Sequence, residues 1–381
     1  MVSKYLEVMK KGEGMEKEGY YYWLANAPGI GRVTMKRIVE VTEPEEIYHN
    51  GVQPIEAVLS KEQKKALEKH RLSWDIEKEW KRLKEKEIRF YCIKSEAYPG
   101  KLKQIPDPPL VLYARGETRY LDMPSVAVVG ARECSAYGAL AAKELGRELA
   151  ERGITVVSGM ARGIDGISQW AALEQRGGSV GVLGSGVEVC YPKENRPLYE
   201  RLKKQGCLLS ESHPYTPAKA GLFPQRNRLI SGLADVVVVV EAKAKSGTLI
   251  TVDMALEQGR EVYAMPGRIT DALSEGCNHL IRQGAQILLS PRRFADEMAV
   301  QLGLNEKQKE NAEDGEELSL MERALYQILE PLPMSVEELW QKGRIKEPEL
   351  TLSQVMEGLL MLVMKGKACT HEQYFYRKHF G

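Results

Sequence analysis

The chain has 381 residues, more than one hydrophobic core usually serves, so two or three domains are expected. Its 54 Lys and Arg against 53 Asp and Glu leave a formal net charge of +1, which excludes a protein that coats nucleic acid by bulk charge and confines any such site to a local basic patch. The six Cys (Cys92, Cys134, Cys190, Cys207, Cys277, Cys369) include no C-x-x-C pair and the six His add no ligand spacing, so reduced thiols and no structural metal are expected.

The opening MVSKYLEVMKKGEGMEKEGYYYWL has no apolar run of signal-peptide length, and no later stretch reaches the roughly 18 apolar residues of a membrane span. A soluble, cytoplasmic protein with no membrane partner is expected. Residues 20–80 read as short charged helices broken by Pro and Gly, which makes 1–87 a helical domain. Within it, Pro28-Gly29-Ile30-Gly31 separates two helical stretches and is followed by Arg32, Lys36 and Arg37. Such a turn resembles a helix-hairpin-helix element whose amides contact a DNA phosphate; it is equally the ordinary way to reverse a chain.

Over 88–303 the pattern changes to short β-branched apolar runs alternating with helical stretches, the signature of a doubly wound parallel α/β sheet. The clearest strands are 126–129, 154–157, 180–183, 207–209, 236–240, 262–264 and 286–289, and their continuous apolar character implies burial on both faces. Helices at 139–151 and 249–258 supply crossovers, and ligands belong beyond the carboxyl ends of the strands. The polar run NEKQKENAEDGEE makes 304–317 a linker. The last unit, 318–381, reads as three helices followed by the alternating KACTHEQYFYRK. Its second helix opens with the capping-box pair Ser335 and Glu338, and its third sets Leu352, Val355, Met356, Leu359 and Leu360 on one face. This is a winged-helix-like arrangement, which serves either DNA or protein partners.

Three segments run from a buried strand through a Gly-rich turn into a helix. The first carries Gly130 and Arg132, the second Ser158, Gly159, Ala161, Arg162, Gly163 and Asp165, and the third Ser246, Gly247 and Thr248. Small residues let backbone amides approach phosphate, helix N-termini favour anions, and the hydroxyls of Ser158, Ser246 and Thr248 add donors. In a fourth segment, GLFPQRNRLISGLADVVVVVEA, Phe223, Arg226, Asn227 and Arg228 fall within six residues. An aromatic face, an amide and two guanidinium groups suit single-stranded nucleic acid, with a base on the ring and phosphates on the arginines. A core Phe and arginines paired with surface carboxylates is the plainer alternative. There is no G-x-x-x-x-G-K-[ST], the Gly130 turn lacks G-x-G-x-x-G, and the one G-x-S-x-G match places Ser179 at the start of a strand rather than on a nucleophile elbow. No catalytic residue and no cofactor are expected.

The ordered motifs VAVVGAR, SGMARGIDG, VLGSGVEVCYPKEN, LLSE, FPQRNRLISGLA, VVVEAKAKSGTLIT and GREVYAMPG closely resemble the extended Rossmann domain of the DNA-processing protein A family (DprA, also called Smf) over about residues 98–290. The flanking units are similar to that family's sterile-alpha-motif-like and winged-helix-like domains. The resemblance implies a homodimer that binds single-stranded DNA without strong sequence preference and loads RecA during natural transformation, with no enzymatic activity. Carried over by motif, the DNA contacts are Arg132, the 158–161 loop, Phe223, Arg226, Asn227 and Arg228. One departure stands out: where the family usually has Ala-His, this chain has Ser168-Gln169, for which a packing role at the helix start is expected. Two other classes remain. A Rossmann-fold nucleotide-processing enzyme of the lysine-decarboxylase-like type needs a Pro-Gly-Gly-x-Gly-Thr loop where this chain reads Lys-Ser-Gly-Thr-Leu. A transcription regulator working through the last unit would show duplex sequence preference.

Overall fold

Alternation within the central strands fixes the architecture. In β3 (Ser125–Val129), Val126 and Val128 enter one core while Ala127 and Val129 enter another, and β7 (Val236–Val239) divides its valines in the same way. Both faces of the sheet are therefore covered. The computed structural model describes residues 16–175, 177–304, 319–329, 334–344, 350–365, 368–371 and 374–377. They fall into two compact units, within Met1–Leu304 and Asn305–Gly381. The linker read at 304–317 lies, beyond Leu304, outside the described residues.

The first unit opens with α1 (Lys17–Ala25), α2 (Arg32–Val41), α3 (Pro44–Asn50), α4 (Lys61–Ser73) and α5 (Ile76–Glu85). There follow β1 (Arg89–Cys92), α6 (Gly100–Lys103), β2 (Val111–Gly116), β3, α7 (Ala136–Glu151), β4 (Thr155–Ser158), α8 (Ile164–Ala172), β5 (Ser179–Val182), α9 (Arg196–Gln205) and β6 (Cys207–Ser210). It ends with α10 (Leu222–Leu233), β7, α11 (Gly247–Glu257), β8 (Glu261–Ala264), α12 (Glu275–Arg282), β9 (Gln286–Ile287) and α13 (Pro291–Gln301). The strands form one sheet in the order β1-β2-β6-β5-β4-β3-β7-β8-β9. From β6 to β9 every pairing is parallel. Helices α7, α8 and α13 share the core of Val126 and Val128, whereas α10, α11 and α12 share that of Ala127 and Val129.

The reading of a parallel sheet needs one correction. β2 pairs antiparallel with β6, and β1 antiparallel with β2, extending the sheet at the edge where the N-terminal helices pack. These strands, RFYC and VLYARG, mix Arg with aromatics and lack the β-branched runs of the central strands. Their aromatics serve the helical segment: Phe90 of β1 lies with ring centroids 5.5 Å from Tyr22, 5.7 Å from Trp80 and 5.2 Å from Tyr113. The N-terminal helices thus share a core with the sheet.

In the second unit, α14 (Leu320–Ile328), α15 (Val336–Arg344) and α16 (Leu352–Met364) pack with β10 (Met334–Ser335), β11 (Ala368–His371) and β12 (Tyr374–Arg377), which form an antiparallel sheet in the order β10-β12-β11. The capping box at Ser335 forms: Glu338 N donates to Ser335 Oγ at 3.2 Å and Ser335 N to Glu338 Oε2 at 2.8 Å. Lys367, Glu372, Gln373 and Lys378 of the hairpin segment lie outside the described residues. Among the described residues no helix is long and apolar enough to cross a membrane.

Phe90→Ala removes the ring shared by helices and sheet, and should cost about 3–5 kcal/mol of folding stability. Denaturant unfolding followed by tryptophan fluorescence and by far-UV dichroism should shift together. A change confined to fluorescence would show that the helices unfold independently of the sheet.

Candidate functional site

The strand order reverses at β3, with β4 on one side and β7 on the other, and a doubly wound sheet opens its ligand crevice at such a point. A cleft of about 550 Å³ lies there. The turn after β3 supplies Gly130 and Arg132, the turn after β7 supplies Lys243, Lys245, Ser246, Gly247 and Thr248, and α10 supplies Phe223, Arg226 and Asn227. The turns after β3 and β4 interlock. A Cβ on Gly130 would lie 2.7 Å from Ile164 Cγ1, and Gly163, at φ +71°, sits where a Cβ would be 2.3 Å from Ala131 O.

The start of α7 is already filled by a side chain from elsewhere in the chain, and that of α8 by backbone carbonyls. At α7, the buried carboxylate of Glu241 accepts from Ser135 N at 2.9 Å and from Ser135 Oγ, while Gly138 N donates to Ser135 Oγ at 3.0 Å. At α8, Ile164 N donates to Ala131 O at 3.2 Å and Gly166 N to Ala161 O at 3.1 Å, and in the turn before it Gly159 N donates to Asp165 Oδ2 and Met160 N to Gln169 Oε1, each at 3.0 Å. Ser158 is fully buried and its Oγ donates to Val128 O at 2.6 Å, so it does not face the cleft. The start of α11 is different: Ser246 Oγ accepts from Thr248 N at 3.2 Å, and Gly247 is exposed with Lys243 and Lys245 beside it. Among the described residues the start of α11 is thus capped by its own Ser246 alone, with no distant carboxylate on it, and two ammonium groups flank it at the end of a helix that favours anions.

The FPQRNR segment begins helix α10, and its two arginines are structural partners. Arg226 is 8% exposed; its Nη1 donates to Gly159 O at 2.7 Å and to Val182 O. Burial pushes its pKa down to about 10, against the opposing pull of Asp165, so it stays charged at neutral pH. Burial likewise raises the pKa of Asp165, which Arg226 and the Gly159 amide counteract. Arg228 lines no part of the cleft: its Nη2 donates to Glu211 Oε2 at 2.7 Å and its Nε to Asp107 Oδ2 at 3.1 Å. Arg32 also pairs with Asp107, so this carboxylate joins α2 to α10. Phe223 is half-buried. Tyr191 stacks on it with centroids 5.3 Å apart and planes at 27°, and Arg132 Cζ lies 5.9 Å from its ring centroid.

An adjoining cleft of about 310 Å³ shares Arg132, Ala161, Phe223 and Arg226 and adds Gly159, Arg162, Tyr191 and Lys193. The structure thus gathers Gly130, Arg132, Ala161, Phe223, Arg226, Asn227, Ser246, Gly247 and Thr248 in the larger cleft, and Gly159 and Arg162 in the smaller. Ser158 and Arg228 line neither. Residues missed from the sequence are Lys243, Lys245 and Tyr191, though all three stand inside the motifs AKAKSG and CYPKEN. Among the described residues, no ion pair engages Arg132, Lys243 or Lys245, and these are the cations a ligand would meet. The expected packing role of Gln169 is seen directly: it is fully buried, and its Nε2 donates to Ser179 Oγ at 3.2 Å and Val180 O at 3.0 Å.

The family described as DNA recombination-mediator protein A matches residues 89–299. The DNA processing protein DprA of Bacillus subtilis (strain 168) is 42% identical over 216 residues, which span 56% of this chain and 73% of that protein. The crystal structure of DNA processing protein A from Streptococcus pneumoniae is similar with a TM-score of 0.62 and 33% identity, over 72% of this chain and 95% of that one. DNA processing protein A from Helicobacter pylori, solved for its single-stranded DNA binding mode, gives a TM-score of 0.51 at 30% identity, over 56% of this chain and 97% of that one.

Exposed and buried cations should respond oppositely to truncation. Arg226→Ala leaves Asp165 without its buried partner and two carbonyls without a donor, and should cost about 3–5 kcal/mol of stability. Arg132→Ala, at an exposed site, should change stability by less than about 0.5 kcal/mol. Melting curves of the two variants side by side check this, and equal losses would contradict the division.

Proposed function

Since the chain belongs to the DNA recombination-mediator protein A family, we propose that it binds single-stranded DNA in the switch-point cleft and loads RecA onto that strand in natural transformation. The observation that carries the reading is the meeting of Arg132, Lys243 and Lys245 with the Phe223 ring in one cleft. Cations neutralise the backbone irrespective of sequence, and a π-face accepts any base. Asn227 lines the same wall and offers an amide to a base edge. The activity proposed is binding rather than catalysis: the buried Glu241 carboxylate is engaged by Ser135 and the Ser158 hydroxyl by Val128 O.

The same proposal includes action in the cytoplasm, a helical domain at 1–87, a Rossmann domain at 88–303 and a winged-helix-like domain at 318–381 that meets DNA or protein. It also includes a homodimer. Support for pairing comes from the sheet edge, where Ile287 of β9 is 47% exposed and the nearby Leu289 77%. Apolar side chains on an unpaired edge invite a partner strand.

Titration against single-stranded and duplex DNA at two salt concentrations tests the binding reading. Arg132→Ala and Lys243→Ala should each weaken single-strand binding for all sequences alike and reduce the salt slope by about 0.7. Unchanged affinity and slope in both variants would remove the cleft from the phosphate path. For the dimer, Ile287→Lys should lower the mass seen by light scattering to that of one chain, and a wild-type chain that is monomeric at micromolar concentration, with and without DNA, would refute pairing. Loading is checked by whether the protein speeds RecA filament growth on a single strand already covered by a competing binding protein.

A further inference from the structure

The aromatic wall does not end at Phe223. Tyr191, stacked on it, is 46% exposed. Phe223 carries Tyr191 stacked against its ring and Arg132 near it, so Tyr191, itself nearly half exposed, extends the aromatic wall toward solvent. Beyond Tyr191, Glu194 belongs both to the smaller cleft and to a third groove of about 490 Å³. That groove follows one face of α8 from Gly163, next to Arg162, to Trp170. Trp170 is 38% exposed, an unusual placement for a large apolar ring in a helix packed on a sheet, and Arg201 Cζ lies 5.0 Å from its ring centroid.

The charges along this route favour a polyanion. Arg162, Lys193 and Lys143 line it exposed, and none forms an ion pair among the described residues. Of the two carboxylates among the described lining residues, Glu174 accepts from Trp170 Nε1 at 3.1 Å and lies 3.9 Å from Arg201 Nη1, which leaves Glu194 as the opposing charge among them. Cations alternating with aromatic faces are what a single strand needs, and what an apolar peptide groove would lack.

We propose that the strand leaves the switch-point cleft across Tyr191 and continues along α8, with Trp170 as a second, distal stacking platform. This rests on the single-strand reading of the cleft. Trp170 stands seven residues past Gly163, about 10 Å along the helix, so only a strand longer than the cleft reaches it.

Oligo-dT of about 6 and about 20 nucleotides, titrated against the full chain and its Trp170→Ala, Trp170→Phe and Tyr191→Ala variants, tests the route. Trp170→Ala should lose at least about fivefold in affinity for the longer oligonucleotide and stay within about twofold on the shorter, while Trp170→Phe retains binding to both. Tyr191→Ala should weaken both. Melting temperatures of the variants, measured alongside, separate lost contacts from lost fold. If the wild type binds neither length, the single-strand reading itself falls. Where the wild type binds both and Trp170→Ala changes neither affinity, or both equally, the distal platform is overturned and the cleft stands.

Discussion

Arg226 sits where the ends of β4 and β5 converge, and its guanidinium donates to Gly159 O and Val182 O while facing the buried carboxylate of Asp165. Asp165 in turn accepts the Gly159 amide, so both backbone polar groups of Gly159 are held by a buried charge pair. Such a pair is costly to desolvate and persists only where its geometry leaves no lone partner. Here it fixes the turn from which Ala161 and Arg162 project, and anchors the first turn of α10, which carries Phe223. The shape of the cleft floor depends on this arrangement.

A division of labour among cations follows. Arg226 and Arg228 are removed from solvent, the first bonded to the carbonyls of Gly159 and Val182 near Asp165 and the second tied to Asp107 and Glu211, whereas Arg132, Lys243 and Lys245 project from turns into the cleft. Only the second group carries counterions that a polyanion can release. A chain with a formal net charge of +1 thus concentrates positive potential at one sheet edge without being basic overall. Helix starts are divided likewise, with the Glu241 carboxylate occupying that of α7 and only the neutral Ser246 hydroxyl capping that of α11.

The central strands were legible because burial on both faces demands the continuous apolar runs that mark them, and the cleft because three Gly-rich turns must gather at the carboxyl edge. Which side of the cleft wall each residue occupies was not legible. Arg226 and Arg228 read as phosphate ligands because their partners, Gly159 and Asp107, lie 67 and 121 positions away, and no local pattern announces such pairings. Glu241 reads as the end of a valine run, yet it plugs a helix more than 100 residues upstream. The edge strands β1 and β2 escaped notice for a related reason: their aromatics answer to the N-terminal helices and not to sheet periodicity.

Gln169 shows how a substitution within a motif is absorbed. Its side chain makes three hydrogen bonds at once, accepting from Met160 N and donating to Ser179 Oγ and Val180 O. Met160 is held at φ 54°, a conformation uncommon for a residue with a side chain, so the bond to its amide stabilises a strained turn. A neutral imidazole at this position offers one acceptor and one donor, and so satisfies at most two of the three; a protonated one has no acceptor for Met160 N at all. The amide therefore suits this loop better than an imidazole would, and it does so with a group that does not titrate. With Asn195 Nδ2 donating to Met160 O and Ala161 O from the other side, the turn beneath Arg162 is supported by neutral amides as well as by the Asp165 and Arg226 pair. The presentation of Arg162 at the mouth of the smaller cleft thus rests on neutral amides together with the buried Asp165 and Arg226 pair.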